Sequence, residues 1–233
     1  MKPLLQYFAH VLSHLRKDLR LEWRSREAIN GMLFFSLLVV VVFGLAFDPT
    51  GFPTTTRQIV GGILWVALLF ASITALNQSW SREQRNNVLE AQRMAPSPPS
   101  ALFLGKAIAN FLFVLAVEAV LAPIFIVFFN LHILGDASRL ALILPLGTWA
   151  IVVNGTFFAV LGLRARNREL LLPLLLLPIA LPALLMMVQA TTGVITAELD
   201  PIQIGSWIKQ LAGYDIIFTT LCILLFGTVL NAE

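Results

Sequence analysis

The sequence predicts an all-α integral membrane protein, with six transmembrane helices behind an N-terminal amphipathic interfacial helix. Three observations carry this. The chain is 58% hydrophobic and only 12% charged over 233 residues, with mean hydropathy +0.84; soluble domains run nearer half apolar and a quarter charged. The apolar residues gather into charge-poor runs, each near the ~20 residues that cross a bilayer's hydrocarbon. The basic residues crowd beside alternate runs, an asymmetry that sets topology. The whole chain, 1–233, reads as one transmembrane domain: an interfacial helix over 1–29 and a membrane bundle over 30–230.

Before the first run, Phe8, Val11, Leu12, Leu15, Leu19 and Trp23 recur at spacings of three and four, while Arg16, Lys17, Arg20 and Arg24 lie largely on the other side. A basic amphipathic helix of this kind lies in the headgroup plane with its apolar face down. Asp18 and Glu22 are placed to pair with neighbouring bases at i,i+4. His10 and His14 share a metal-ligand spacing, but no third ligand is near, and they read as interfacial polar residues.

The spans follow at 30–47, 58–77, 106–129, 140–163, 170–190 and 211–230. Gly44-Leu45-Ala46 resembles a signal-cleavage site, but about thirty residues precede its apolar run, where signal n-regions are short. The run is therefore read as a retained span. Glu118 sits near the middle of the third span, where a carboxylate must face protein or a cavity. Asn154 in the fourth span and Asn110 in the third are its possible partners. Glu118 is either a hydrogen-bonded structural residue or a transport residue. The fifth span carries Pro173, Pro178 and Pro182, each removing a helix donor, so a kink is expected there. In the sixth, Asp215 lies near the outer edge, and Cys222, the one cysteine, reads as a small buried apolar residue.

Thirteen of the basic residues flank the N-terminus, the second loop and the fourth loop, against three (Arg57, Arg139 and Lys209) in the alternate loops. The positive-inside rule then places both termini and the second and fourth loops in the cytoplasm. No phosphate-binding G-x-x-x-x-G-K-[ST] is present: Gly105-Lys106 has Ser100 five residues before the glycine and Ala107 after the lysine. H-E-x-x-H, Cys/His clusters and G-x-S-x-G are also missing. An enzyme acting alone is disfavoured, and a channel or transport subunit is favoured.

The cytoplasmic loop at 78–105 is the most informative stretch. Its first half is polar and helix-compatible, Pro96, Pro98 and Pro99 break it, and a second helix starts near Ser100. A proline-terminated helix between two spans can serve as a rigid docking piece. Arg82, Glu83, Arg85, Glu90, Arg93, Met94, Pro96, Ser97 and Pro98 are the candidate contacts.

Here the sequence resembles a family. Glu83, Leu89-Glu90, Pro96-Ser97-Pro98 and Leu104-Gly105-Lys106 look like the loop of type-2 ABC transporter permeases. The closer match is to the heme exporter protein B family, the permease of the cytochrome c maturation system. Ile63 to Leu69 with Leu76, Lys106 to Pro123, and the proline series of the fifth span fit the same pattern, over about residues 20–230. Asn87 and Gln92 depart from it, standing where a glycine and an apolar residue are expected. The resemblance implies a bacterial inner-membrane permease that is not itself an ATPase. ATP enters only through a cytoplasmic ATPase partner, and haem is a transported or delivered ligand. It further implies two copies of this chain with two ATPase chains, a haem-handling membrane subunit, a small membrane subunit and a periplasmic haem chaperone. His132, on the outer loop, is the one histidine placed near exported haem. A type-2 permease for a lipid, drug or polysaccharide, and a non-transporting assembly scaffold, are the alternatives.

Overall fold

The computed structural model describes residues 2–47, 49–85, 88, 92, 94, 97–162 and 168–231, with backbone alone at 2, 3, 85, 168, 169 and 231. Seven long helices account for nearly all of them: α1 Lys2–Ser25, α2 Glu27–Ala46, α3 Pro53–Arg85, α4 Pro99–Phe128, α5 Leu140–Gly162, α6 Arg168–Thr196 and α7 Pro201–Asn231. A short 3-10 turn, Ala137–Arg139, precedes α5. The helices α2 to α7 are long and apolar enough to cross a membrane, which makes six spans among the described residues.

The helices overrun the expected spans because hydropathy marks only the hydrocarbon-crossing part. α3 continues past residue 77 to Arg85, so the start of the long loop, residues 78–85, is a helical extension. α7 begins at Pro201, ten residues before the expected 211. Its first turns mix Gln203, Ser206 and Lys209 with apolar residues, which hides them from a hydropathy reading.

α5 is the centre of the bundle. It packs against α3, α4, α6 and α7, and residues 150–157 are buried without a break. Two glycines let neighbours come close. A Cβ at Gly147 would run into the Trp65 indole, and one at Gly155 into the Leu76 side chain. Small residues at such crossings are how membrane helices gain packing contacts when lipid offers no hydrophobic drive. α2 lies at the edge and buries only a narrow stripe, Ala28, Met32, Ser36 and Val40, at the four-residue spacing of one helix face.

α1 lies across the start of α4. Gly105 makes the crossing possible, since a Cβ there would sit 2.7 Å from His14 Cβ and 2.8 Å from the Val11 carbonyl oxygen. This corrects part of the interfacial reading. Val11 turns into the bundle with Asp18 and Glu22, while Phe8, Leu12 and Trp23 stay exposed. Asp18 therefore pairs with Lys106 of α4 and with the adjacent Lys17, and Glu22 with Arg82 of α3, and not with bases one turn away. Between α1 and α2 only Arg26 intervenes, in the left-handed region with φ 52°. One such residue ends α1 and lets α2 begin without a loop.

α6 runs as a single helix through Pro173, Pro178 and Pro182. The Tyr214 hydroxyl donates to the Ile179 carbonyl at 2.8 Å, one residue past the carbonyl that Pro182 leaves without its helical donor. Neighbouring helices commonly supply hydrogen bonds at such proline positions in membranes.

Candidate functional site

Six charged side chains meet where α1 crosses the start of α4, beside the end of α3. Lys106, only 1% exposed, sits two turns into α4. Its ammonium donates to Asp18 at 3.2 Å and to Ser79 at 3.1 Å, and lies 3.1 Å from Glu83 Oε1. The Trp80 ring covers it, 4.7 Å from nitrogen to centroid. Lys17 joins the same carboxylates, 3.1 Å from Asp18 and hydrogen-bonded to Glu83. A buried ion keeps its charge only when partners replace its lost water, and here two bases and two acids share partners. Burial opposes the charge on Lys17, but Asp18 and Glu83 outweigh it and hold its pKa above the ordinary lysine value. Burial likewise opposes ionisation of Asp18, and Lys106 and Lys17 outweigh it, so that carboxyl stays below its usual range.

Beside this quartet, Glu22 does two jobs. Its Oε1 accepts from the Ala28 and Ile29 amides at 2.9 and 3.2 Å, satisfying donors that the start of α2 leaves free. Its Oε2 accepts from Arg82 at 2.5 Å, and Arg82 also donates to Ser25 at 2.9 Å. One carboxylate thus fixes the α1–α2 corner to the end of α3. With its amide oriented to satisfy both neighbours, Gln92 donates to Glu83 Oε2 at 3.3 Å and accepts from Lys17 at 3.0 Å. The polar departure at Gln92 therefore has a physical reason: it faces ions, where an apolar side chain would leave them short of partners. A cavity of about 260 Å³ opens beside the cluster, polar at the Lys17–Glu83 end and apolar toward Met32, Leu76 and Val114.

The loop residues singled out from sequence divide. Arg82 and Glu83 turn inward into the cluster, and Glu83 is 4% exposed. Arg85 ends α3; its side chain, with Glu90, Arg93 and Pro96, lies outside the described residues. Met94 is exposed. Ser97 hydrogen-bonds the His14 ring at 3.3 Å, and Pro98 stands directly before α4. Burial, and then the charge of Lys17, lower the pKa of His14.

Inside the bundle, Glu118 accepts from Thr148 at 2.5 Å, a bond from α5 to α4. Neither asparagine is its partner. Asn110 donates to Thr156 at 3.1 Å, and Asn154 donates to Tyr214 at 3.3 Å and to its own helix at Ala150. Glu118 lies two turns beyond Asn110, and the rotation of α5 presents Thr148 at that depth. Tryptophans add further ties: Trp80 donates to the Thr156 carbonyl, Trp65 to Thr191, and Trp149 to Thr219. Asp215 corrects the sequence reading. It is 6% exposed and well inside α7, because that helix starts ten residues earlier than expected, and neither of its oxygens has a hydrogen-bond partner among the described residues.

Lys106 and the threonines were missed as site residues. Lys106 carried one signal, a lysine well inside an apolar helix that starts at Pro99. The threonines carried none, because a threonine in a membrane helix usually bonds its own backbone.

With this geometry in place, the comparisons with known proteins decide the family. Residues 9–231 match the CcmB protein family. The chain belongs to the CcmB family. It is 34% identical over 172 residues, 73% of this chain and 77% of the relative, to heme exporter protein B of Rhodobacter capsulatus. It is 28% identical to heme exporter protein B of Pseudomonas aeruginosa over 211 residues, 89% of this chain and 90% of that protein. A CcmB-family chain with six apolar helices is a multi-pass membrane protein, and the ion cluster, from Lys17 to Lys106, falls within the matched residues.

Proposed function

We propose that this chain is the permease subunit of a haem-export ABC complex serving c-type cytochrome biogenesis. The match over 9–231 to relatives named heme exporter protein B carries the reading. The chain lies in a bacterial inner membrane with both termini and the α1 end in the cytoplasm, supported by the asymmetry of its basic residues. ATP is hydrolysed by a separate P-loop subunit. Two permease copies pair with two ATPase copies, alongside a haem-handling membrane subunit, a small membrane subunit and a periplasmic haem chaperone.

The ATPase docks on the loop between α3 and α4. Met94 and Pro98, both exposed, are its candidate contacts, together with Glu90 and Arg93, which lie outside the described residues. Arg82 and Glu83 act behind these contacts: tied to α1 and α4 through Lys17, Glu22 and Lys106, they pass movement of the loop to three helices at once. In the bundle, Glu118, Asn154 and the prolines at 173, 178 and 182 are the residues through which such movement changes α4, α5 and α6.

Copurification and labelling test this. Cysteines at Ser97 are expected to react from the cytoplasm only, and at Thr196 from outside only. Charge reversal at Glu90 or Arg93 is expected to leave the chain in the membrane while the ATPase is lost or its hydrolysis is uncoupled, and holocytochrome c yield falls. External labelling of Ser97 overturns the orientation. Full assembly and full cytochrome maturation in the charge-reversal variants overturn the docking assignment.

A further inference from the structure

We infer that the outer side of α1 is a binding surface for the phosphate groups of anionic phospholipid. The argument starts from what the ion cluster removes. α1 has two acidic residues, Asp18 and Glu22, and both are buried against α3 and α4. The helix therefore shows almost none of its negative charge outward. Arg16, Arg20 and Arg24 are exposed and have no ion-pair partner among the described residues. At ~100° per residue, positions four apart fall nearly in line, so the three guanidinium groups form one ridge. Ser13, Lys17 and Leu21 complete a groove of about 400 Å³ along it, with no acid in its walls.

The ridge has an apolar neighbour. Leu5, Phe8, Leu12 and Trp23 share the third side of the helix and are 67%, 63%, 62% and 72% exposed. α1 thus has three faces: one docked, one apolar and one basic. Arg16 and Arg20 border the apolar face, which is where phosphates stand when that face dips among acyl chains. An acidic protein partner would answer the arginines and leave four large apolar side chains uncovered. A lipid leaflet answers both, since an interfacial helix gains from buried apolar area and from anionic headgroups together. Arginine suits the task because its planar fork binds phosphate oxygens in pairs. The proposal is independent of what the complex transports.

The test uses the full-length chain in nanodiscs of phosphatidylcholine containing a minority of phosphatidylglycerol. Lipids retained after extraction are counted by native mass spectrometry for the wild type, for single Arg→Gln variants at 16, 20 and 24, and for the triple variant. Lys209→Gln, an exposed charge on α7, is the control. The wild type and control are expected to enrich phosphatidylglycerol. Each single variant is expected to lower that enrichment about fivefold, the effect of roughly one surface charge, and the triple variant to lose it. Raised salt should weaken it as well. Unchanged melting of the triple variant separates lost binding from lost fold, because these arginines make no hydrogen bond or ion pair into the bundle among the described residues. Equal phosphatidylglycerol retention by the wild type and the triple variant overturns the inference. So does an absence of preference in the wild type, including the case where the triple variant instead loses a protein partner.

Discussion

Lys106 shows how a buried charge is tolerated: two carboxylates, a hydroxyl and an indole face take the place of water. Removing it leaves Asp18 and Glu83 close together with only Lys17 between them. Lys106→Met is expected to destabilise the chain by about 3–5 kcal/mol, the usual cost of breaking a buried pair, seen as a lower melting temperature and less folded protein in membranes. Adding Glu83→Gln should restore part of the loss, because it removes the charge left over; a double variant worse than the single would sink the shared-site account. Glu118 behaves differently, with a single bond from Thr148. Glu118→Gln keeps an acceptor and should fold as the parent does. Glu118→Leu is expected to cost about 1–3 kcal/mol, at the lower end if Thr148 falls back on a carbonyl of its own helix. A Gln variant that assembles normally but loses cytochrome maturation would instead assign Glu118 a transport role. That Glu118 had to face protein was legible in the sequence, because depth alone dictates it. Its partner was not, because the partner depends on how α5 is rotated.

Helices are the most legible elements, since each needs only its own apolar run. Their ends are less so. α3 and α7 extend through mixed-polarity turns outside the apolar runs, and that misplaced Asp215. The amphipathic nature of α1 was readable, but not which acids it would turn inward, since Gly105 decides where α1 can lie. Gly105→Leu should lift α1 off α4, because even a Cβ meets the His14 Cβ at 2.7 Å and the Val11 carbonyl at 2.8 Å. Faster hydrogen exchange or proteolysis within 8–25, with α5 unchanged, is the expected result; unaltered protection of α1 would refute it. The same contact responds to acid. The pKa of His14 is lowered from 6.5 in the fold, by burial first and by Lys17 second, so the unfolded state takes up its proton first. Stability is present in full above 6.5 and declines as pH falls from there toward the folded value. Asp18, held below 3.8, and Lys17, held above 10.5, remain charged across that range. Melting should therefore drop modestly from pH 7 to pH 5, and the His14 part of that drop should vanish in His14→Gln. A parent protein that is no less stable at pH 5 would contradict this.

For the molecule as a whole, the class and the number of spans follow from six charge-poor runs. The arrangement around α5 does not, because hydropathy says nothing about which helix is central. Glycines at 147 and 155 and the threonines at 148 and 156 mark α5 only once its neighbours are known. The seating of α1 has a consequence for how the chain is made. α1 leaves the ribosome before the other described helices, yet its partners Arg82 and Glu83 lie at the end of α3 and Lys106 lies in α4. A nascent chain cannot complete the surroundings of Glu22 until the end of α3 has emerged, nor those of Asp18 until the start of α4 has. With Val11→Cys as a reporter on the docked face, chains stalled before residue 99 should react with a thiol reagent, and chains stalled beyond 150 should be protected. Equal reactivity at both lengths would mean that α1 finds its place some other way. Otherwise α1, made before the other described helices, is among the last to be locked, and for that interval the growing chain carries Asp18 and Glu22 without their partners from α3 and α4.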